Sequence, residues 1–159
     1  MSIVATGGEP LMFTNLGIGV LLLMITTAIH AVAMKFARDL VHSHAGRLRQ
    51  RLRTFPLYNV LGIILLMFVA LFLQVYLWAL TYLLLGAIEE LEQALYFSMV
   101  TFTTLGYGDI VLPAKWNLLS SIEGANGIIM VGWTTAIVMA VVQRVYFSEG
   151  LAAGSDAKD

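Results

Sequence analysis

The sequence predicts an all-α membrane protein, with three transmembrane helices and, between the second and third, a short re-entrant helix leading into a glycine-punctuated loop. Three observations carry that prediction. First, 59% of the 159 residues are hydrophobic, only 12% are charged and the mean hydropathy is +0.84, values outside the range of soluble domains. Second, three long apolar stretches alternate with segments that hold nearly all the charge. Third, the stretch Thr103-Thr104-Leu105-Gly106-Tyr107-Gly108-Asp109 interrupts this pattern with two glycines flanking one aromatic residue. The formal net charge of -1 says little beside this segregation. With no cysteine there is no disulfide framework, thiol nucleophile or cysteine-ligated metal. No nucleophile-and-base pair, metal-ligand set or phosphate loop stands out, so neither an enzyme nor a cofactor is expected, and nothing points to a nucleic-acid partner.

Residues 1–10 hold one charge, Glu9, and a Gly7-Gly8 pair, and read as a mobile terminus. Residues 11–34 follow as about 24 mainly apolar positions, enough for a core that needs about 20. Ala31-Val32-Ala33 resembles a signal-peptidase site, but no Lys or Arg precedes Leu11, so the stretch is read as a retained span. His30 near its end has two readings, a proton sensor or an interfacial side chain. Residues 35–56 carry Lys35, Arg38, Arg47, Arg49, Arg51 and Arg53, six of the nine basic residues, and are expected in the cytoplasm. The four arginines recur at every second position and spread around a helix, so they do not form a voltage-sensing face. They read either as an orientation-setting loop or as a patch for anionic lipid head groups.

Pro56 marks the next boundary, and 57–85 reads as a long, tilted span in which Tyr76, Trp78 and Tyr82 would anchor the far interface. Gln74 is expected to bond to another helix. An acidic turn with Glu89 and Glu90 precedes a helix over 92–103, whose 12 or so residues cover about 18 Å. Such a helix is too short to span and must enter and return on one side. Its C-terminal, negative end would point into the membrane, where a cation is stabilised. Residues 117–146 form the last span and 148–159 a polar tail. The basic segment inside puts the N-terminus and the loop outside and the C-terminus in the cytoplasm.

Alternate glycines let the backbone reach positive φ at every second residue, so that successive carbonyls can point the same way and ligate a cation. Thr104-Leu105-Gly106-Tyr107-Gly108 resembles the potassium-channel selectivity filter, usually T-V-G-Y-G, with Leu105 in place of valine. Tyr96 to Phe102 resembles the family's pore helix, Asp109 to Pro113 its exit, and the resemblance spans roughly residues 57–144, with an additional helix in front.

The resemblance implies a passive potassium channel. Since one loop cannot surround an ion and no internal repeat is present, it implies a homotetrameric pore in the cell's plasma membrane. Carried over by match, Thr104, Leu105, Gly106 and Tyr107 supply carbonyls to K+, the permeant ion, and Gly108 completes the turn. Tyr107 would pack behind the filter against a cuff begun by Tyr96 and Phe97, with Asp109 bracing the loop. Phe97 has no donor, so any strut made there by relatives is missing. Glu123, an ionisable group inside the last span, is expected to bond behind the filter, to the pore helix or to Lys115. Gly127 or Gly132 would be a gating hinge or a packing contact, and Ile128, Val131, Thr135, Met139 and Gln143 would line the cavity. The alternatives are a weakly selective cation channel of the same fold, and a non-conducting membrane adaptor or regulatory subunit.

Overall fold

A computed structural model describes the backbone of residues 9–42 and 56–146, with side chains over 11–39 and 60–143. The expectations for the N-terminal stretch before Glu9, for Arg47, Arg49, Arg51 and Arg53, and for 148–159 concern residues outside the described ones. Within them the chain is helical, with no strand. Helix α1 runs Glu9–His42, α2 Pro56–Leu84, α3 Leu91–Phe102 and α4 Asn117–Tyr146, the last entered through a single 3-10 turn at Ala114–Trp116. Three segments are long and apolar enough to cross a membrane, namely Leu11–Asp39, Val60–Leu84 and Ala114–Gln143. The 12-residue α3 is the short helix between the last two.

Helix α1 extends eight residues beyond the boundary expected at 34. No glycine or proline interrupts Met34 to His42, and Ala33 and Ala37 are buried against Ile63, Met67 and Ala70 of α2. Small alanines let the two backbones approach closely, and that packing outweighs the onset of charge at Lys35 and Arg38. The basic linker therefore begins as helix. Helix α2 starts with Pro56 in its first turn, where the missing N–H costs nothing. It ends with Gly86 at φ 61, where the Gly86 N–H bonds Leu83 O at 3.1 Å and the Ala87 N–H bonds Tyr82 O at 2.9 Å.

Helix α3 packs between α2 and α4, and α1 lies along both α2 and α4. The main core gathers Trp78 and Tyr82 from α2, Ala94, Phe97 and Phe102 from α3, and Trp116, Leu119 and Met130 from the 3-10 turn and α4. This corrects the interfacial reading of Trp78 and Tyr82. Both are fully buried and Trp116 nearly so, whereas Tyr76 is exposed. The short helix α3 packs its apolar side chains against this end of α2, so both rings are buried within the protein. Trp116 also takes the Lys115 ammonium over its ring at 5.2 Å.

Candidate functional site

The loop after α3 adopts the alternation expected of it, and extends it by one residue. Positive φ occurs at Thr104 (59°), Gly106 (56°) and Gly108 (77°), with ordinary backbone between. For the β-branched Thr104 this conformation costs about 1–3 kcal/mol and persists only where the surroundings dictate it. The dictating contacts are backbone bonds to the end of α3. The Thr104 N–H donates to Thr101 O at 2.9 Å, and Leu105 and Gly106 both donate to Val100 O, at 2.9 and 3.3 Å. Thr103 caps the helix, its hydroxyl donating to Met99 O at 2.7 Å. The loop is thus an outgrowth of the pore helix, and its position follows that of Val100.

Tyr96 and Asp109 are brought together as the loop leaves. The Tyr96 hydroxyl donates to Asp109 Oδ2 at 2.7 Å. That bond holds the Asp109 carboxyl below the usual carboxylate range, with the Asp109 and Ile110 backbone N–H groups adding to it, and pushes the tyrosine up. Phe97 is buried and sets its ring edge-on to Tyr82, centroids 5.3 Å apart at 86°. Tyr107 is 66% exposed, so its own chain does not supply the packing expected behind the filter. A cavity of about 170 Å³ lies beside the loop, lined by Tyr96, Phe97, Gly106, Asp109 and Ser120 among others.

Glu123 is fully buried. It bonds to the pore helix, as one of its two expected partners required, through Ser98. Lys115 is not its partner, because that side chain sits over Trp116. The second partner is Tyr82, whose hydroxyl donates to Glu123 Oε2 at 2.6 Å. Neither Tyr82 nor Ser98 was expected as a partner of Glu123, which lies 41 and 25 positions away. Ser98 also donates to Val75 O of α2, at 2.9 Å.

The two candidate hinge glycines separate. A Cβ on Gly127 would fall 1.8 Å from Phe102 O, so this glycine is where α4 touches the end of the pore helix. A Cβ on Gly132 would meet nothing within 4 Å beyond its own helix backbone. The expected cavity face of α4, with Ile128, Val131, Thr135, Met139 and Gln143, is exposed in the single chain.

Helix α1 is pinned to the rest by polar side chains. Asn15 Nδ2 donates to Lys115 O at 2.6 Å, and Asn126 Nδ2 donates to Thr26 Oγ1 at 3.1 Å. Gln74 does reach another helix, its Nε2 lying 3.3 Å from His30 Nδ1. His30 is fully buried and also meets Trp133, centroids 5.3 Å apart, and the Thr134 hydroxyl at 3.5 Å. It is therefore not interfacial. Polar residues that recur on otherwise apolar helices (Asn15, Thr26, Asn126) were the available signal for this seam.

A family model described as "Ion channel" matches residues 64–144, half of the chain, covering most of α2, all of α3, the loop and α4 to within two residues of its end. No curated protein and no solved structure matches the chain.

Proposed function

The chain belongs to the ion channel family, and from that membership we propose that it is a potassium-selective channel, conducting passively through a ring of four identical chains. The observation that carries this reading is the loop of alternating positive φ at Thr104, Gly106 and Gly108, seated at the C-terminal end of a helix too short to span. Stripping water from K+ is costly, and the pore must return oxygens in its place while holding the ion loosely enough to release it. The carbonyls of Thr104, Leu105, Gly106 and Tyr107 take that role, Thr104 adds its hydroxyl at the inner site, and Gly108 turns the chain away at the mouth. One chain supplies one side of such a cage, so the cage needs several copies.

The exposure of Tyr107, and of Ile128, Val131, Thr135, Met139 and Gln143, supports the same reading, since in the ring the first packs on a neighbour and the others face the path. Asp109, Glu89, Glu90 and Glu92 make the outer entrance negative and raise the local cation concentration. The protein sits in the plasma membrane with its N-terminus outside and its C-terminus in the cytoplasm, where Arg47, Arg49, Arg51 and Arg53 face anionic lipids.

Purified protein in planar bilayers under opposed potassium and sodium gradients provides the test. The expected result is a current whose reversal potential follows potassium, from particles that native mass spectrometry weighs as four chains. Equal permeability to both ions would establish the weakly selective channel instead, and silence the non-conducting subunit.

A further inference from the structure

We propose that Glu123 is an uncharged, proton-bearing carboxylic acid that positions the pore helix, and through it the filter loop, by donating a hydrogen bond to Ser98. A count of hydrogens leads there. Three oxygen-to-oxygen contacts join α2, α3 and α4 at this point: the Tyr82 hydroxyl with Glu123 Oε2 at 2.6 Å, Ser98 Oγ with Glu123 Oε1, and Ser98 Oγ with Val75 O at 2.9 Å. Each contact needs one hydrogen between its oxygens. Tyr82 and Ser98 carry one hydroxyl hydrogen apiece, and the Val75 carbonyl carries none. A carboxylate leaves two hydrogens for three contacts, so one pair of oxygens would face each other through lone pairs alone, away from water.

A carboxyl proton on Oε1 completes the set. Glu123 then donates to Ser98, Ser98 donates to Val75 O, and Tyr82 donates to Oε2, with every hydrogen used once. The neutral form also suits the place. Glu123, Ser98 and Tyr82 are all fully buried, and the nearby cation in sequence, Lys115, is engaged with Trp116. Tyr82 is the titratable group bonded to Glu123 from α2, and α3 presents the uncharged Ser98.

The consequence for the filter follows from the chain of attachment. Ser98 stands two residues before Val100, whose carbonyl receives both Leu105 and Gly106. Glu123 of α4 and Val75 of α2 therefore both grip the pore helix at Ser98, about half a turn from the point at which it holds the loop. Releasing that grip lets Val100, and with it the filter carbonyls, shift against the ring's axis.

The effect on selectivity rests on the potassium-channel reading above, whereas the protonation does not, and the test separates them. Infrared spectroscopy of the full chain in lipid with isotope-labelled glutamate is expected to show, at neutral pH, a carbonyl stretch of a protonated carboxylic acid that shifts in D2O and vanishes in Glu123→Gln. A carboxylate signature alone would overturn the proposal whether or not the protein conducts. In bilayers Glu123→Gln, whose amide donates to Ser98 and accepts from Tyr82, should keep the wild-type potassium-to-sodium permeability ratio. Glu123→Leu and Ser98→Ala should lower it about tenfold, near the upper end for one hydrogen bond within a membrane. Loss of selectivity in Glu123→Gln equal to that in Glu123→Leu, or full selectivity in both Glu123→Leu and Ser98→Ala, would refute the positioning role.

Discussion

Asp109 shows how much a single hydroxyl can settle at the mouth of the loop. Its carboxyl is held low first by the Tyr96 bond, against a smaller opposing effect of desolvation. A folded-state value below the unfolded one means that the bond's contribution is complete above the usual carboxylate range and is lost as pH falls through the lowered value. In Tyr96→Phe that donor is gone, so Asp109 should take up its proton at a higher pH than in the wild type. Currents recorded during external acidification should then fail earlier in the variant. Coincident acid profiles would show that Tyr96 does not hold the charge. Asp109 and Glu123 were both legible in the sequence as chemistry-bearing positions, one beside the glycines and the other as a carboxyl inside a span. Their partners were not, because Tyr96, Ser98 and Tyr82 reach them by tertiary packing that no periodicity encodes. Tyr82 was even read as a membrane anchor, since a tyrosine late in a span fits an interfacial belt and a buried donor equally well.

At the scale of the element, the short helix α3 is braced along its length: at Ala94 and Phe97 by the core, at Ser98 by two helices, and at its end by close approach to Gly127. The last contact is the least forgiving. Gly127→Ala places a methyl into the Phe102 carbonyl, so the helices must part, an overpacking cost of about 1–3 kcal/mol or more. The expected outcome is loss of the assembled particle on size-exclusion chromatography. Gly132→Ala meets nothing and should assemble normally, with about 1 kcal/mol gained in helix propensity. A change of open probability in that variant with assembly intact would mark Gly132 as the place where α4 bends. Unaltered gating would make it a bystander. The short helix itself could be seen in the sequence, since its length fell below a membrane's thickness and Glu89, Glu90 and Glu92 marked its start. The division of labour between the two glycines could not, because it depends on which carbonyl lies opposite.

Over the whole molecule, α1 is fastened to the 3-10 turn by Asn15, to α4 by Thr26 and to α2 and α4 by His30, which makes it part of the same body as the loop-bearing helices. Membrane hydrogen bonds are individually small, so a double-mutant cycle of Thr26→Val and Asn126→Leu should return a coupling of about 0.6 kcal/mol in unfolding from detergent micelles. A coupling indistinguishable from zero would mean that the pair is a contact without consequence. The sequence announced three spans and their order, yet not this seam, as its polar residues are scattered singly through apolar runs. Its partners are also far apart along the chain. His30 finds Gln74 after 44 residues, whereas Asn15 and Thr26 wait 100 and Thr134 comes 104 after His30. During synthesis at about 5–20 residues per second, the first helix therefore stands in lipid for roughly 5–20 s before its last partners are made. Thr26 has a bond available to Leu22 O of its own helix, whereas the side-chain bonds described for Asn15 and His30 all reach other elements. The order of emergence thus makes His30 with Gln74 the first lock to close, and leaves the nascent α1 to be held by its apolar face alone until then.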